Sequence, residues 1–346
     1  MRMCLGVALA AVSLFATNLH ARDLTVVTFG GASGQAVEDV YVKPFSAKEG
    51  TAYHMDAWTG EMARVRAQID SGTVTWDVLT AQATDFMTGC EEGLFEKIDW
   101  SRFSNVADLA PDSMTECGLL GLANAVVLSY DGARLNDGPK SWADFWDTTK
   151  YPGKRGLRYS AYETLEVALL ADGVPSQDVY KVLSTEAGVK RAFDKLEVLK
   201  PDIIWWRSGN EAIQRLASGE VAMTSVWNAR PALVNKTDKR DLRVVWQAGG
   251  VFENDGYGIV KGTQNLDAAY KLLHYMAMPE PEAEFYKIMP YGGPNVKSYD
   301  LVDKSLLADL ASAPENKKYL TPVDNEFWMN NMEALTARFT AWAGTN

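Results

Sequence analysis

The sequence predicts an α/β protein built of two lobes, with a chain that crosses from one lobe to the other and back. Three observations support this prediction. Apolar runs of strand length alternate with helix-length amphipathic segments, an order typical of mostly parallel sheets covered by helices. The 346 residues exceed what one hydrophobic core usually holds. A hydrophobic content of 47% without low-complexity segments indicates that both lobes are folded.

Residues 1–21 are typical of a cleaved secretory signal. Arg2 supplies the cationic start, residues 5–16 form an apolar run too short for a stable membrane anchor, and Ala21 is a small residue at the expected cut. No later stretch of about 18 apolar residues follows. We therefore expect an exported, periplasmic protein.

The first predicted strand, 24–28, runs into a glycine-rich turn that opens a helix over 35–47. Backbone N–H groups at such a turn, around Gly31, can hold a ligand oxygen, although glycines that only permit a tight turn explain the same pattern. Ala32 interrupts Gly-x-Gly-x-x-Gly and no Lys-Ser/Thr pair follows, so neither standard nucleotide loop is matched.

Two more strand–loop–helix units follow, which implies a mostly parallel sheet. Because the carboxyl ends of parallel strands meet at one edge, we expect the loop residues Trp58, Gln82 and Thr84 to face the same side as Gly31. The strands of these units are predicted at 53–58 and 76–80, and the intervening helix at 62–71.

The apolar segment 119–129 is the first predicted crossover, and a second set of units begins after it. Lobe 1 is thus predicted to comprise 22–127 and 251–300, and lobe 2 to comprise 128–250. Helices predicted at 301–310 and 324–342 lie in a C-terminal segment, 301–346, that the pattern assigns to neither lobe. The predicted elements of lobe 2 are an aromatic helix around Trp142, strands at 156–160 and 203–206, and helices at 162–170, 189–199 and 210–218.

Two further apolar runs, 221–226 and 243–248, are predicted to be buried strands, and each is followed by polar and aromatic residues. An indole, a guanidinium, a carboxylate and a phenol at strand ends can line one ligand cleft. A carboxylate beside aromatic rings suits an alkylammonium group. Core tryptophans with surface charges remain the alternative interpretation. The residues of these clusters are Trp227, Asn228, Arg230, Asp255 and Tyr257.

The formal net charge of −11 argues against a nucleic-acid partner and is compatible with a cationic ligand. Beyond the predicted signal only Cys90 and Cys117 remain, and in an oxidising compartment we expect them to form a disulfide, with two separate buried thiols as the alternative. We expect no metal site and no cofactor, because His54 and His274 have no metal-ligand spacing.

We expect no enzymatic activity. The sequence contains no Gly-x-Ser-x-Gly elbow and no His-Glu-x-x-His, although paired acids for glycoside chemistry are not excluded by sequence.

Short phrases spread over nearly the whole mature chain carry a resemblance to a known family. They are Val27-Thr28-Phe29-Gly30-Gly31, Trp76-Asp77-Val78, residues 93–99, residues 208–220 with Trp227-Asn228, residues 258–263, residues 268–276, and Met289-Pro290-Tyr291-Gly292. In this order they resemble type II periplasmic solute-binding proteins of ABC importers. The resemblance is to the branch that contains spermidine, putrescine and γ-aminobutyrate receptors.

The resemblance implies that an acidic residue after the second crossover binds an ammonium group while aromatic residues clamp the alkyl chain. The matching positions are Asp255, with Trp227 and Tyr257. Arg230 opposite an acid suits a zwitterion, since a polycation would be repelled. The sequence therefore favours a small ω-amino acid slightly over a polyamine. Four acids keep the polyamine alternative open by offering a second cation site: Glu61, Asp85, Glu163 and Glu253.

The family resemblance also implies a mechanism in which a monomer closes over its ligand and delivers it to an ABC permease in the inner membrane. Gly31, Trp58, Gln82 and Thr84 would then act from lobe 1. Lobe 2 would contribute Tyr162, Trp205, Arg207, Trp227 and Arg230. The alternatives are a thiamine or iron receptor of the same fold, or an exported hydrolase.

Overall fold

The computed structural model describes residues 22–345, so the predicted signal, 1–21, lies outside the described residues. Its strands are β1 Leu24–Thr28, β2 Tyr53–Ala57, β3 Val78–Ala81, β4 Leu119–Asp131, β5 Arg155–Arg158, β6 Ile203–Trp206, β7 Met223–Trp227, β8 Leu242–Val244, β9 Gly250–Ile259 and β10 Thr321–Pro322.

Helices alternate with these strands through most of the chain, and a π-helical stretch, Glu38–Val42, joins the first two. They are α1 Gly31–Val37, α2 Lys43–Glu49, α3 Met62–Asp70, α4 Ala83–Glu91, α5 Trp142–Trp146, α6 Thr164–Ala171, α7 Val179–Leu183, α8 Glu186–Leu199, α9 Gly209–Ser218, α10 Ala229–Asp238, α11 Leu266–Met276, α12 Pro279–Ile288, α13 Lys304–Leu307, α14 Pro314–Lys317 and α15 Asn325–Ala343.

All ten strands of residues 22–345 belong to one hydrogen-bonded sheet, with the order β2-β1-β3-β9-β4-β7-β5-β6. The outer strands pair in parallel, as expected for strand–helix–strand units, whereas β9 and β4 run antiparallel to their neighbours in this order. The pairing of β9 with β10 is parallel. The short strands β10 and β8 extend the edges of β9 and β4. The predicted α/β class with two crossovers is therefore confirmed.

The crossovers are the two long strands of the centre. Residues 119–127 of β4 pair antiparallel with residues 250–257 of β9. Every residue of β4 is buried, which accounts for its uninterrupted apolar sequence. A two-stranded ribbon thus connects the two halves of the sheet.

Two large hydrophobic cores lie at opposite ends of this ribbon. The first is formed around β1, β3, α11 and α12, and contains, for example, Leu24, Val78, Leu273 and Phe285. The second is formed around β5, α6, α8 and β7, and contains Trp142, Leu165 and Phe193. The molecule therefore has one sheet but two cores, with the ribbon between them.

The C-terminal helix α15 belongs to the second core. Phe327, Trp328, Leu335 and Phe339 are buried in it. The same helix also contacts α4, which follows a strand of the opposite half. The helix α15, from the segment that the sequence pattern assigned to neither lobe, therefore packs in the second core and also contacts the half that contains α4.

Most predicted elements lie within a few residues of the observed ones, but two predictions are wrong. The strand predicted at 243–248 ends at Val244, because residues 246–248 turn into a 3-10 helix. The helix predicted at 301–310 is largely absent: only Lys304–Leu307 is α-helical, since the 3-10 segment Val296–Leu301 precedes it.

The predicted disulfide is confirmed. Cys90 of α4 is bonded to Cys117, which lies just before β4, at a sequence separation of 27 residues. The bond ties α4 to the start of the central ribbon. Within residues 22–345, no helix is long and apolar enough to cross a membrane.

Candidate functional site

A small cavity lies at the edge of β9, between the two cores. β3 pairs with residues 256–259 and β10 with residues 251–252, so residues 253–255 have no strand partner on that edge. The cavity there has a volume of about 140 Å³ and is lined by Ala83, Tyr162, Glu253, Asp255 and Asn325, among others. Both halves of the molecule and the C-terminal helix therefore contribute to its wall.

A larger groove of about 460 Å³ lies between α8 and α15. It is lined by side chains such as Glu186 and Asn330, and none of the cavity-lining acids reaches it. We therefore take the cavity at β9 as the candidate site.

Two acids enter this site from β9. Glu253 is 6% exposed and Asp255 is partly buried, and their spacing of two residues places them on one face of the strand. Burial, with the carboxyl groups of Asp85 and Glu163, raises the pKa of Asp255 to about 8, although the Arg158 guanidinium opposes the shift. Burial also raises the pKa of Glu253, with Glu163 and Asp255 adding to the effect. The site therefore contains more carboxyl groups than cationic groups that could neutralise them.

One guanidinium is already paired within this cluster. Arg158, at the end of β5, forms an ion pair with the buried Glu163, with Nη1 2.7 Å from Oε2. The other oxygen of Glu163, Oε1, accepts a hydrogen bond from the Trp227 indole at 3.2 Å. The Arg158 guanidinium also lies 5.0 Å from the centroid of the Trp227 ring. Glu163 thus fixes both neighbours, and Arg158 neutralises it.

The backbone at Glu163 is left-handed, with φ of 69°, at the N-cap of α6. A non-glycine residue in this region is strained, and such strain concentrates at functional sites. The strained turn directs the Glu163 carboxyl into the cluster, where it meets Arg158 and Trp227.

A second guanidinium has no carboxylate partner in the described part of the chain. Arg230, in the first turn of α10, donates from Nη1 to Asn210 Oδ1 at 3.2 Å, and its buried Nε has no acceptor among residues 22–345. A Cβ added at Gly209 would lie 2.9 Å from this Nε and 2.8 Å from the Trp227 ring. Arg230 and Trp227 therefore pack together over the bare backbone of Gly209.

Tyr291 connects the acidic and basic parts of the site. Burial raises the pKa of its hydroxyl to about 12, while Arg230 lowers it and the carboxyl groups of Asp255, Glu253 and Glu163 raise it. The phenol is therefore within electrostatic reach of both Arg230 and the acids. Tyr162, whose pKa burial also raises, faces the same carboxyl groups.

The predicted residues Gln82 and Thr84 lie at the start of α4, next to Ala83 of the cavity wall. Gln82 and Asp85 form a capping box at this helix end. Burial raises the pKa of Asp85 to about 6, although its hydrogen bond with the Gln82 backbone opposes the shift. The α4 terminus thus brings a further acid close to Asp255.

The remaining predicted residues of the first half lie at the end of β1 and β2. Trp58 is buried and donates from Nε1 to the Thr80 carbonyl at 2.8 Å. Phe29 stacks on it, with centroids 6.0 Å apart, and is 40% exposed. Gly31 has a φ of 62° and open space around its Cα. Phe29, which sequence reasoning did not single out, therefore presents the aromatic face that was expected of Trp58.

Of the predicted ligand-binding residues only Tyr162 and Asp255 line the cavity itself, whereas Trp227 and Arg230 join the cluster through Glu163 and Tyr291. Three other predicted residues lie away from this cluster. Trp205 packs edge-on against Phe339 and Trp342 of α15. The exposed Arg207 places its guanidinium 4.0 Å from the Tyr159 ring centroid. Tyr257 is 2% exposed in the first core, where its hydroxyl has no partner among the described residues. The structure thus joins Tyr162, Trp227, Arg230 and Asp255, but not these three.

Asn228 is held by backbone groups. Its Oδ1 accepts from the Ala125 N–H at 2.9 Å, and its Nδ2 donates to the carbonyls of Pro290 and Asp309. Both Nδ2 hydrogens are therefore used, and Asn228, which is 1% exposed, fixes β4 against two loops instead of facing a ligand.

Sequence reasoning missed Arg158 as a site residue. A signal was present, because Arg158 ends the short, largely buried strand β5 just as Trp227 ends β7, and these strands are parallel neighbours. Among the described residues no group of His, Cys, Asp and Glu side chains is arranged to hold a metal ion.

Comparisons with known proteins give consistent results. Residues 41–318 match the family model described as bacterial extracellular solute-binding protein. The chain is 41% identical to the γ-aminobutyric acid-binding protein of Pseudomonas aeruginosa over 338 residues, 98% of this chain and 94% of that protein. It is 26% identical to the spermidine/putrescine-binding periplasmic protein of Escherichia coli over 259 residues, 71% of this chain and 70% of that protein.

A solved structure of a GABA receptor has a similar fold. It superimposes with a TM-score of 0.84 at 28% sequence identity, covering 94% of this chain and 98% of that one.

Proposed function

Because the chain belongs to the bacterial extracellular solute-binding protein family, we propose that it captures a small ω-amino acid such as γ-aminobutyrate for an ABC importer. The observation that carries the proposal is that one cluster contains the acid Asp255 and the guanidinium of Arg230, neither of which has an oppositely charged partner within residues 22–345. The relatives are solute-binding proteins, and we propose a binding role without a catalytic step.

The size of the cavity supports a small ligand. Its volume of about 140 Å³ is below the range of about 300–1,000 Å³ typical of pockets for drug-sized molecules. Closure of the molecule around a short ligand would leave a cavity of this kind, whereas a long polyamine needs an extended channel.

The distribution of charge supports a zwitterion. An ammonium group placed at Asp255 would relieve the repulsion among the neighbouring carboxyl groups and lie beside the Tyr162 ring. A carboxylate at Arg230 would meet the one guanidinium of the cluster that has no acidic partner among residues 22–345. Arg158 is already in an ion pair with Glu163, so we propose that it does not contact the ligand and only positions Trp227.

We further propose that the two cores are the cores of the two predicted lobes and that the β4–β9 ribbon is their hinge. Lobe 1 would comprise 22–127 and 251–300, and lobe 2 would comprise 128–250 together with α15. The contact of α15 with α4 then closes the cleft from outside. Delivery to an inner-membrane permease by a periplasmic monomer completes the proposal, which the family and the signal-like residues 1–21 support.

A polyamine is the second candidate ligand. Four carboxyl groups gather around the cleft, those of Asp85, Glu163, Glu253 and Asp255. The relative from Escherichia coli is named for spermidine and putrescine. The two candidates differ in what they require of Arg230.

The proposal is tested by thermal melting of ligand-stripped protein with γ-aminobutyrate and with putrescine. A ligand at 100 times its dissociation constant stabilises the folded state by about 2.7 kcal/mol, which raises the melting temperature by several degrees. We expect this shift with γ-aminobutyrate. A shift with putrescine alone would contradict the proposal.

Arg230→Ala separates the candidates further. Removing the cation should weaken γ-aminobutyrate binding by about 2–5 kcal/mol, because the ligand carboxylate would lose its partner in a partly buried site. Putrescine binding should not weaken, since no carboxylate is involved. Titration calorimetry measures both. Arg191→Ala is the matched control, because Arg191 pairs with Asp172 on the surface. Equal losses for the two ligands would count against a carboxylate at Arg230.

A further inference from the structure

Glu253 has no counter-ion of its own. It is 94% buried in the middle of β9, and its Oε1 receives no hydrogen bond from the described residues. The guanidinium that faces it, Arg158, is in the 2.7 Å ion pair with Glu163. An ionised Glu253 would therefore place a second buried negative charge beside a pair that is already neutral.

Glu163 is the carboxyl group that acts most strongly on Glu253 in this cluster, and the buried Oε1 of Glu253 has no hydrogen-bond partner among residues 22–345. A direct contact between the two carboxyl groups would satisfy this atom. Two ionised carboxylates are both acceptors, so such a contact requires a proton on one of them. Glu163 is the acceptor in such a contact, because it already pairs with Arg158 and accepts a hydrogen bond from Trp227. Glu253 is then the member that carries the proton and donates.

The other groups around Glu253 do not change this assignment. Asp255 of the same strand adds negative charge. The phenols of Tyr162, from the segment before α6, and Tyr291, from the segment after α12, are neutral because burial raises the pKa of both. Arg158 from β5 is the one cation that faces Glu253 among the described residues.

We propose that Glu253 is a specificity-determining residue: as a neutral carboxyl group that donates to Glu163, it leaves Asp255 as the one carboxylate free for an ammonium group. This inference rests on the proposed capture of an ω-amino acid. A diamine would need a second carboxylate, which Glu253 supplies only after losing its proton. The cleft is thus rich in acids but accommodates one ammonium group.

The state of Glu253 is tested first, without ligand. We expect the infrared spectrum of the wild type minus that of Glu253→Gln to contain the carbonyl stretching band of a protonated carboxyl group at pH 7. Asp255 is present in both proteins, so its own band cancels. Absence of the band overturns the inference. Raising the pH until the band disappears gives the pH at which Glu253 ionises.

Specificity is tested by titration calorimetry with γ-aminobutyrate and putrescine. Glutamine retains the shape and an N–H donor toward Glu163, so Glu253→Gln should bind γ-aminobutyrate at pH 7 with a loss of less than about tenfold, the smallest effect of losing a charged hydrogen bond. A larger loss overturns the inference. In the wild type, the affinity for putrescine relative to that for γ-aminobutyrate should rise only at the pH values at which the infrared band has disappeared. In Glu253→Gln this ratio should not rise at any pH.

Ionisation of Asp255 changes the affinity for both ligands equally, because each places one ammonium group there. Its effect therefore cancels in the ratio of the two affinities. A ratio that stays constant in the wild type after the band has disappeared overturns the inference. If the band is present but γ-aminobutyrate does not bind the wild type, the protonated Glu253 stands and the proposed function fails.

Discussion

The residues around Asp255 create a negative environment that favours the binding of a cation. Burial and two neighbouring carboxyl groups, those of Asp85 and Glu163, raise its pKa to about 8, so the empty site keeps a proton where a ligand ammonium is proposed to bind. Binding of the ammonium favours the ionised form and expels that proton. Affinity and pH are therefore linked through one residue.

The affinity for γ-aminobutyrate should rise with pH up to about 8 and then level off. Asp255 must be ionised to bind, and a pKa of about 8 leaves about one molecule in a hundred ionised at pH 6. We expect an affinity roughly a hundredfold lower at pH 6 than on the plateau. Titration calorimetry from pH 6 to 9 measures this. In Asp255→Asn binding should be weak and independent of pH, and a flat wild-type profile would contradict the assignment.

Sequence reasoning found the site residues that end strands and named Glu163 as a candidate acid, but it missed Arg158 and the contacts that Glu163 makes with distant partners. Trp227 and Arg230 follow an apolar strand, which is a local signal. The roles of Arg158 and Glu163 depend on their contact with each other and on their electrostatic effect on Glu253, a residue about 90 positions away in the chain. No pattern within a single segment records such a contact.

Among the elements, α15 is attached to the second core through a buried acid. Glu166 of α6 is fully buried, and its Oε1 accepts from Trp328 Nε1 at 2.7 Å and from the Tyr180 hydroxyl at 2.8 Å. Burial raises the pKa of Glu166 from 4.5 to about 7. Its other oxygen has no partner in residues 22–345. The folded state therefore favours the protonated form.

Glu166→Gln should stabilise the protein at high pH. Because the folded-state pKa of Glu166 lies above the unfolded value, stability is lost as pH rises from about 4.5 to about 7, by up to about 3 kcal/mol at 1.36 kcal/mol per pKa unit. Glutamine mimics the protonated form and avoids this loss. Urea unfolding at pH 4.5 and 8 should give equal stabilities at the lower pH and a more stable variant at the higher. A difference independent of pH would refute this explanation.

The disulfide between α4 and the start of β4 should contribute measurably to stability. It closes a loop with a sequence separation of 27, which in the chain-entropy model is worth roughly 3–4 kcal/mol. Replacing both Cys90 and Cys117 by Ser should lower the unfolding free energy by this amount. Denaturation of the variant and of the wild type, each with and without reductant, measures it. If reductant also lowered the unfolding free energy of the serine variant, the loss in the wild type would not be due to the disulfide alone.

The elements themselves were largely predictable, because alternating apolar runs and amphipathic segments record the layers of an α/β fold. The length of β9 was not. Glu253, Asn254 and Asp255 interrupt its apolar character, so the sequence pattern does not predict one continuous strand there. The strand continues because β4 pairs with it along 250–257. Tertiary pairing outweighs local preference in this segment.

For the whole molecule, we expect the β4–β9 ribbon, as the proposed hinge, to let the two cores move without separating the sheet. Two antiparallel strands can bend and twist while their hydrogen bonds persist. The α15–α4 contact and the cavity walls, by contrast, join groups from both halves and must separate on opening. Ligand binding is therefore expected to shift the molecule toward the closed state.

Removing the ligand should increase the radius of gyration measured by small-angle X-ray scattering. γ-Aminobutyrate should restore the smaller value in the wild type. Asp255→Asn, at the same ligand concentration, should keep the larger value, because it lacks the proposed ammonium partner. Identical scattering with and without ligand in the wild type would show that the ribbon does not act as a hinge.

The central ribbon also determines the order in which the protein can fold. β4 is thirteen residues long and buried throughout, yet its partner β9 lies beyond more than one hundred residues of intervening chain. Until β9 is made and docked, β4 is a long apolar segment with unpaired backbone groups, which is the kind of segment that aggregates. Pairing over such a distance is slow. The newly made chain is therefore expected to depend on a chaperone that shields β4, and β4 is the segment where such a chaperone should bind.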